Sequence, residues 1–180
     1  FCFHKCFVLS ELIILFIFSL NAFANYYLDL AIRPSANFNS NLDKLELKNN
    51  TINPSLGAEL GANFGYITIG GGIELNMPLS FDGGTPETTG EIQNMPYYAY
   101  GRLNVFPVVF KPYLVYKVGI NKVYNYTGFG SGVEDGTFWA IGCGMDVYNF
   151  LVEVTYNNYQ LDVNGKDENL SQFQISLGVK

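Results

Sequence analysis

The sequence predicts an all-β fold, an eight-stranded antiparallel up-and-down transmembrane β-barrel, on three observations. Eight stretches alternate apolar and polar residues with period two. The connections between them run long and short in turn, and aromatic residues flank the short ones. No stretch of useful length shows the i, i+3, i+4, i+7 spacing of an amphipathic helix.

The strands follow in order. In the first, Tyr26, Leu28, Leu30 and Ile32 share one face, while Asp29, Ala31 and Arg33 share the other. The second sets Leu56, Ala58, Leu60, Ala62 and Phe64 against Gly57, Glu59, Gly61 and Asn63. The third sets Ile67, Ile69, Gly71, Ile73, Leu75 and Met77 against Thr68, Gly70, Gly72, Glu74 and Asn76. In the fourth, Tyr97, Ala99, Gly101, Leu103 and Val105 oppose Tyr98, Tyr100, Arg102 and Asn104. The fifth sets Leu114, Tyr116, Val118 and Ile120 against Tyr113, Val115, Lys117 and Gly119. Trp139, Ile141, Cys143, Met145 and Val147 form the apolar face of the sixth, opposite Ala140, Gly142, Gly144 and Asp146. The seventh pairs Phe150, Val152, Val154 and Tyr156 with Leu151, Glu153, Thr155 and Asn157. The eighth pairs Phe173, Ile175, Leu177 and Val179 with Gln172, Gln174, Ser176 and Gly178. Stretches of about ten residues suit strands that cross a bilayer at a tilt.

Long connections are expected at about 35–55, 78–96, 121–137 and 160–170, and short ones at Gly65, 107–109 and Asn149. Pro54, Pro78, Pro86, Pro96 and Pro107 are expected outside strand interiors, with Pro34 and Pro112 at strand ends. Around the short turns stand Phe64 and Tyr66, Phe106 and Phe110, and Tyr148 and Phe150; Tyr26 opens the first strand at the same level. That spacing predicts an aromatic girdle at one membrane interface. Tyr124, Tyr126, Phe138, Trp139 and Tyr159 are expected near the opposite rim.

Lys5, the apolar run from Leu12 to Leu20 and Ala22-Phe23-Ala24 predict a signal peptide over residues 1–24, cleaved to leave the barrel domain over 25–180. Cleavage removes Cys2, Cys6 and His4, so the mature chain keeps one cysteine, Cys143, and no histidine. No metal or cofactor site and no enzyme activity are expected, because His-dependent nucleophilic and proton-relay arrangements are missing.

Of the 180 residues, 48% are hydrophobic and only 14% charged, about half the usual share of charge. The net charge of −6 excludes the basic face that a nucleic-acid partner requires. The strand regions hold five acids and five bases, so the whole net charge falls on the long connections. Alternation alone leaves two arrangements. Either the apolar face meets lipid, or it lines the core of a secreted, lipocalin-like soluble barrel that binds a small apolar ligand. Glycines crowding the polar parity and strand charges of mixed sign favour the first arrangement. It predicts a neutralising lumen network of Asp29, Arg33, Glu59, Glu74, Arg102, Lys117, Asp146 and Glu153.

Two motifs sharpen the reading. Lys111-Pro-Tyr-Leu-Val-Tyr-Lys-Val-Gly-Ile-Asn121 resembles the "PY-x-x-x-G-x-G" strand of small outer-membrane barrels. Ala140 to Tyr156 resembles their "GxGxEY…L-x-x-E-x-x-Y" hairpin at Gly142, Gly144, Asp146, Glu153 and Tyr156. The chain thus resembles the outer-membrane β-barrel family of OmpA-, OmpX- and opacity-type proteins, although it ends on Gly178-Val179-Lys180 where that family usually ends on an aromatic residue. The resemblance implies an integral outer-membrane protein handled by the outer-membrane assembly machinery, with periplasmic termini and extracellular long loops. An eight-stranded interior is filled by side chains, so no wide pore is expected. The expected role is structural, in the envelope. The acidic loops, with Asp82, Glu87, Glu91, Asp162, Asp167 and Glu168, are candidates for adhesion or for binding a host or envelope ligand.

Overall fold

Period-two alternation does build strands, and they close on themselves. The computed structural model describes residues 27–42, 46–47, 52–82, 90–105, 110–127, 133–163 and 165–180. The expected signal peptide, Tyr26, Glu87 and Phe106 lie outside these residues. Among them the strands are β1 (Tyr27–Leu42), β2 (Glu46–Leu47), β3 (Ile52–Asn63), β4 (Ile67–Asn76), β5 (Leu79–Asp82), β6 (Gly90–Asn104), β7 (Phe110–Thr127), β8 (Val133–Glu134), β9 (Gly136–Val147), β10 (Phe150–Val163) and β11 (Lys166–Val179).

Eight of these are long and form the wall. Each pairs antiparallel with its nearest long neighbours in the chain, and β1 pairs with β11 to complete the ring. Closure leaves the wall without an edge strand that could recruit another chain. The register fixes the geometry of the ring. Phe38 faces Phe173, and from there the partners run Tyr156, Ile141, Tyr116, Gly101, Ile69, Ala62 and back to Leu28. The circuit returns to β1 ten residues from its start (38 − 28 = 10), a shear that tilts eight strands by roughly 40°. The three short strands lie on the connections: β2 pairs with β5, β5 with β6, and β8 with β10.

The polarity of the barrel is inverted relative to a soluble one. Leu30, Leu60, Ile69, Leu114, Ile141 and Leu177 are each more than half exposed, while Asp29, Arg33, Glu59, Arg102, Lys117 and Glu153 are buried inside. The lipocalin-like alternative requires the opposite arrangement, so the interior rules it out. Along β7 the outward apolar residues run from Phe110 to Ile120 and end at Lys122. Ten residue steps at that tilt span about 25 Å, the height of a lipid-facing band.

Several sequence-based expectations need correction. Apart from β4, at ten residues, the long strands extend past the expected length, to 18 in β7. The alternation fades where the outer surface turns polar, as at Gln93, Lys122, Thr137, Asn158 and Asn169, but backbone pairing carries on because it needs no apolar face. For the same reason Pro54 and Pro96 lie inside β3 and β6, and Pro34 lies inside β1. Each forfeits one ladder donor, although the Pro54 carbonyl still accepts from the Met77 N–H at 3.1 Å. The expected long connection at 160–170 is a tight hairpin, with Val163 opposite Lys166 and Gly165 at φ 73. Asp162, Asp167 and Glu168 therefore belong to strands, and Glu91 belongs to β6.

The two tight turns at the other end of the barrel use left-handed backbone as well. Gly65 has φ 81, and its N–H donates to Asn63 Oδ1 at 2.8 Å. Tyr148 adopts φ 54 in the two-residue turn between β9 and β10, a geometry that primed hairpin turns demand.

Candidate functional site: the polar interior

Inward side chains from all eight long strands fill the barrel in three layers. The layer nearest the short turns is charged. Its centre is a pair of carboxylates, Glu59 from β3 and Glu153 from β10, each surrounded by the same three cations. Arg33 reaches both, Nη1 to Glu59 and Nη2 to Glu153, and Arg102 Nη2 also pairs with Glu59. Lys117 Nζ lies 2.8 Å from Glu153 Oε1 and 3.2 Å from Glu59 Oε1. Two phenols complete the shell: Tyr98 Oη donates to Glu59 Oε1 and Tyr113 Oη to Glu153 Oε2, both at 3.0 Å. Lys180 Nζ, 2.9 Å from Asp29 Oδ2, also pairs with Asp146 and extends the network to the turn end of the barrel. Arg102 Nη1 approaches Asp29 at 3.8 Å.

Buried charges persist only where paired charges and hydrogen bonds replace water. Here four acids face four bases, and the layer is neutral. The cations also lie against ring faces: the Arg102 guanidinium is 4.6 Å from the Tyr100 centroid and 5.3 Å from that of Tyr113, and Lys117 Nζ is 5.1 Å from that of Tyr98. Glycines make room for those rings. A Cβ on Gly61 would meet Tyr100 Oη at 2.3 Å, and one on Gly144 would meet the Tyr113 ring at 2.4 Å.

The middle layer is built from amides. Gln174 donates to Asn37, Asn37 to Asn76, Asn76 to Asn94 and Asn94 to Asn121, at 2.9, 3.3, 3.1 and 2.7 Å. This chain crosses from β11 through β1, β4 and β6 to β7, with every amide pointing the same way around the lumen. The outer layer is apolar. Leu79, Ile92, Val133, Phe138, Tyr159, Leu161 and Leu170 pack together inside the loop end, with the Phe138 ring 5.5 Å from Tyr98 and 5.1 Å from Tyr159.

Of the eight residues expected to form the lumen network, seven are brought together by ion pairs: Asp29, Arg33, Glu59, Arg102, Lys117, Asp146 and Glu153. Glu74 points inward and is buried, but no cation among the described residues pairs with it. It sits opposite Gly57 on β4, in the amide layer, and accepts a hydrogen bond from Gln174 across the lumen. Lys180, Tyr98, Tyr113 and the amide chain are partners that sequence reasoning missed, although all except the terminal lysine lie on the inward parity.

The described members of the expected girdle, Phe64, Tyr66, Phe110, Tyr148 and Phe150, are all exposed around the turn end. Toward the opposite rim Trp139 is outward, whereas parity turns Phe138 and Tyr159 inward, into the apolar layer at the same end. Trp139 instead continues outside into Tyr156 and Phe173, at centroid distances of 5.8 and 5.3 Å. Cys143 is outward and exposed, as its parity predicts. Among the described residues, no three His, Cys, Asp or Glu side chains converge as a metal centre would require.

Comparison with known proteins places this geometry. No family model matches the sequence, and no curated protein matches it. Solved structures do. Ail, the attachment invasion locus protein of Yersinia pestis, matches with a TM-score of 0.51 at 12% identity, over 87% of this chain and 97% of Ail. Neisserial surface protein A matches with a TM-score of 0.48 at 13% identity, over 86% and 96% of the two chains. The N-terminal β-barrel domain of Pseudomonas aeruginosa OprF gives 0.46 at 12% identity, over 86% and 98%. The likeness to Ail is one of fold: this chain has the architecture of a small eight-stranded outer-membrane barrel.

Proposed function

We propose that this chain is an integral outer-membrane protein with a structural role in the envelope, whose outer connections present a surface for adhesion or ligand binding. The inverted polarity carries the reading. An exterior apolar over about 25 Å and an interior that holds the charged side chains, most of them in ion pairs, form a stable combination in a bilayer and an aggregating one in water. The 1–24 segment directs export, the termini lie on the periplasmic side with the short turns, and the outer-membrane assembly machinery inserts the barrel. In support, Tyr27 and Lys180 lie at the same end as the tight turns at Gly65 and Tyr148.

The barrel acts without catalysis and is not a wide pore. Three filled layers support the absence of a wide pore, because charged, amide and apolar side chains occupy the interior in succession. Recognition falls to the outer rim, where a rigid wall holds variable connections. Ail is the attachment invasion locus protein of Yersinia pestis, a name that fits such a division of labour. The net charge of −6, carried by the connections together with the strand ends beyond the apolar band such as Glu91, Asp162 and Asp167, directs binding toward basic surfaces and away from polyanions.

Fractionation of expressing cells, followed by protease treatment of intact cells, tests the proposal. The expected outcome is a detergent-dependent membrane protein cleaved only in its long connections. A mature protein that is soluble and monomeric without detergent contradicts it.

A further inference from the structure

The charged layer balances four acids against four bases, which leaves Glu74 one layer further out with its charge uncompensated by any described cation. Glu74 is 4% exposed, so water reaches it poorly, and an isolated buried carboxylate is strongly disfavoured.

The hydrogen bonds around it show the same imbalance. The Gln174 Nε2 that donates to Glu74 Oε1 also lies 2.9 Å from Asn37 Oδ1 and 3.4 Å from Ser55 Oγ. An amide nitrogen carries two hydrogens, yet three oxygens converge on it. All four residues are more than nine-tenths buried. A further oxygen has no partner: Asn157 Oδ1 is buried and unsatisfied. Asn157 is the next inward residue along β10 from Thr155, whose hydroxyl donates to Gln174 Oε1 at 3.4 Å.

We infer that Glu74, Asn37 and Ser55 form a binding site for one alkali-metal cation inside the barrel. Gln174 turns its amide to offer Oε1 in place of Nε2. The ligands are one carboxylate and neutral amide and hydroxyl oxygens, hard donors that suit a hard cation. The charge selects the valence. One monovalent ion cancels the charge of Glu74, whereas a divalent ion would leave an excess positive charge beside it in a low-dielectric interior.

The test compares melting of the refolded mature barrel in sodium chloride, potassium chloride and choline chloride at equal ionic strength. Melting a few degrees higher in sodium or potassium than in choline, with the difference abolished in Glu74→Gln, is the expected result. Equal melting of the wild type in all three salts overturns the site, as does a cation-specific rise that Glu74→Gln keeps in full. Wild-type crystals soaked in rubidium chloride give a second reading independent of the variant's folding. An anomalous peak between Glu74, Asn37 and Ser55 supports the site, and no peak there overturns it. An infrared band of a protonated carboxylic acid in the wild type, lost in Glu74→Gln, overturns it too, because a proton would then hold the place of the ion.

Discussion

Lys117 Nζ lies 2.8 Å from Glu153 Oε1, joining β7 to β10 across the lumen. These strands are not neighbours in the wall, so the bond braces the barrel through its interior. Arg33 and Arg102 do the same between other strands, and the three cations share the same two carboxylates. Such a network resists piecemeal loss.

Replacing Arg102 with Met removes the bond to Glu59 and the support of Asp29, and leaves a buried charge short of a partner. Chemical unfolding of the refolded barrel is expected to show a loss of about 3–5 kcal/mol. Adding Glu59→Gln to that variant should recover part of the loss, since the orphaned charge goes with it. A change within about 0.5 kcal/mol for Arg102→Met contradicts the network.

Gly61 and Tyr100 fit as a small and a large residue in one slot. Gly61→Ala places a Cβ 2.3 Å from Tyr100 Oη. The expected cost is about 1–3 kcal/mol from overpacking, and Tyr100→Leu in the same chain should relieve it. A double-mutant cycle measures the coupling; additive effects exclude the contact.

The membrane face has a sharp upper limit. Ile141 lies within the apolar band on β9, and Thr137 lies four residues beyond it on the same face. Ile141→Arg is expected to destabilise the barrel in lipid bilayers by about 2–4 kcal/mol, and Thr137→Arg by about 1 kcal/mol or less. Equal effects from the two substitutions place the band wrongly.

The hairpin between β10 and β11 requires φ 73 at residue 165. Gly165→Val should cost about 1–3 kcal/mol, because a β-branched residue is strained there. Unfolding measurements on the variant check it, and an unchanged stability contradicts the turn.

The wall of the barrel was legible in the sequence because a lipid-facing surface writes a strict period of two. Leu114, Tyr116, Val118 and Ile120 point outward and Tyr113, Val115 and Lys117 inward, as their alternation requires. Legibility stops at the top of the apolar band. Beyond it the outward face turns polar, and Gln93, Asn94 and Asn121 read as loop although backbone pairing continues. The last hairpin was within reach, since Asn164-Gly165 is the strongest short-range turn signal.

Inside the lumen, parity identifies which residues face each other without setting their height. Glu74 and Arg102 share a parity, but the strand tilt puts them in different layers, so Glu74 stays outside the ion-pair network expected to include it. For Phe138 and Tyr159 the height was legible and the face was not. Aromatic character suggested a rim, whereas their parity, the more reliable guide, sends them inside.

Trp139, the chain's one tryptophan, provides the most direct test of the central claim that this barrel wears its apolar face outward in lipid. In bilayers of brominated lipids its fluorescence is predicted to be strongly quenched, while aqueous iodide leaves it nearly unchanged. Quenching by iodide without an effect of the brominated chains would contradict the account.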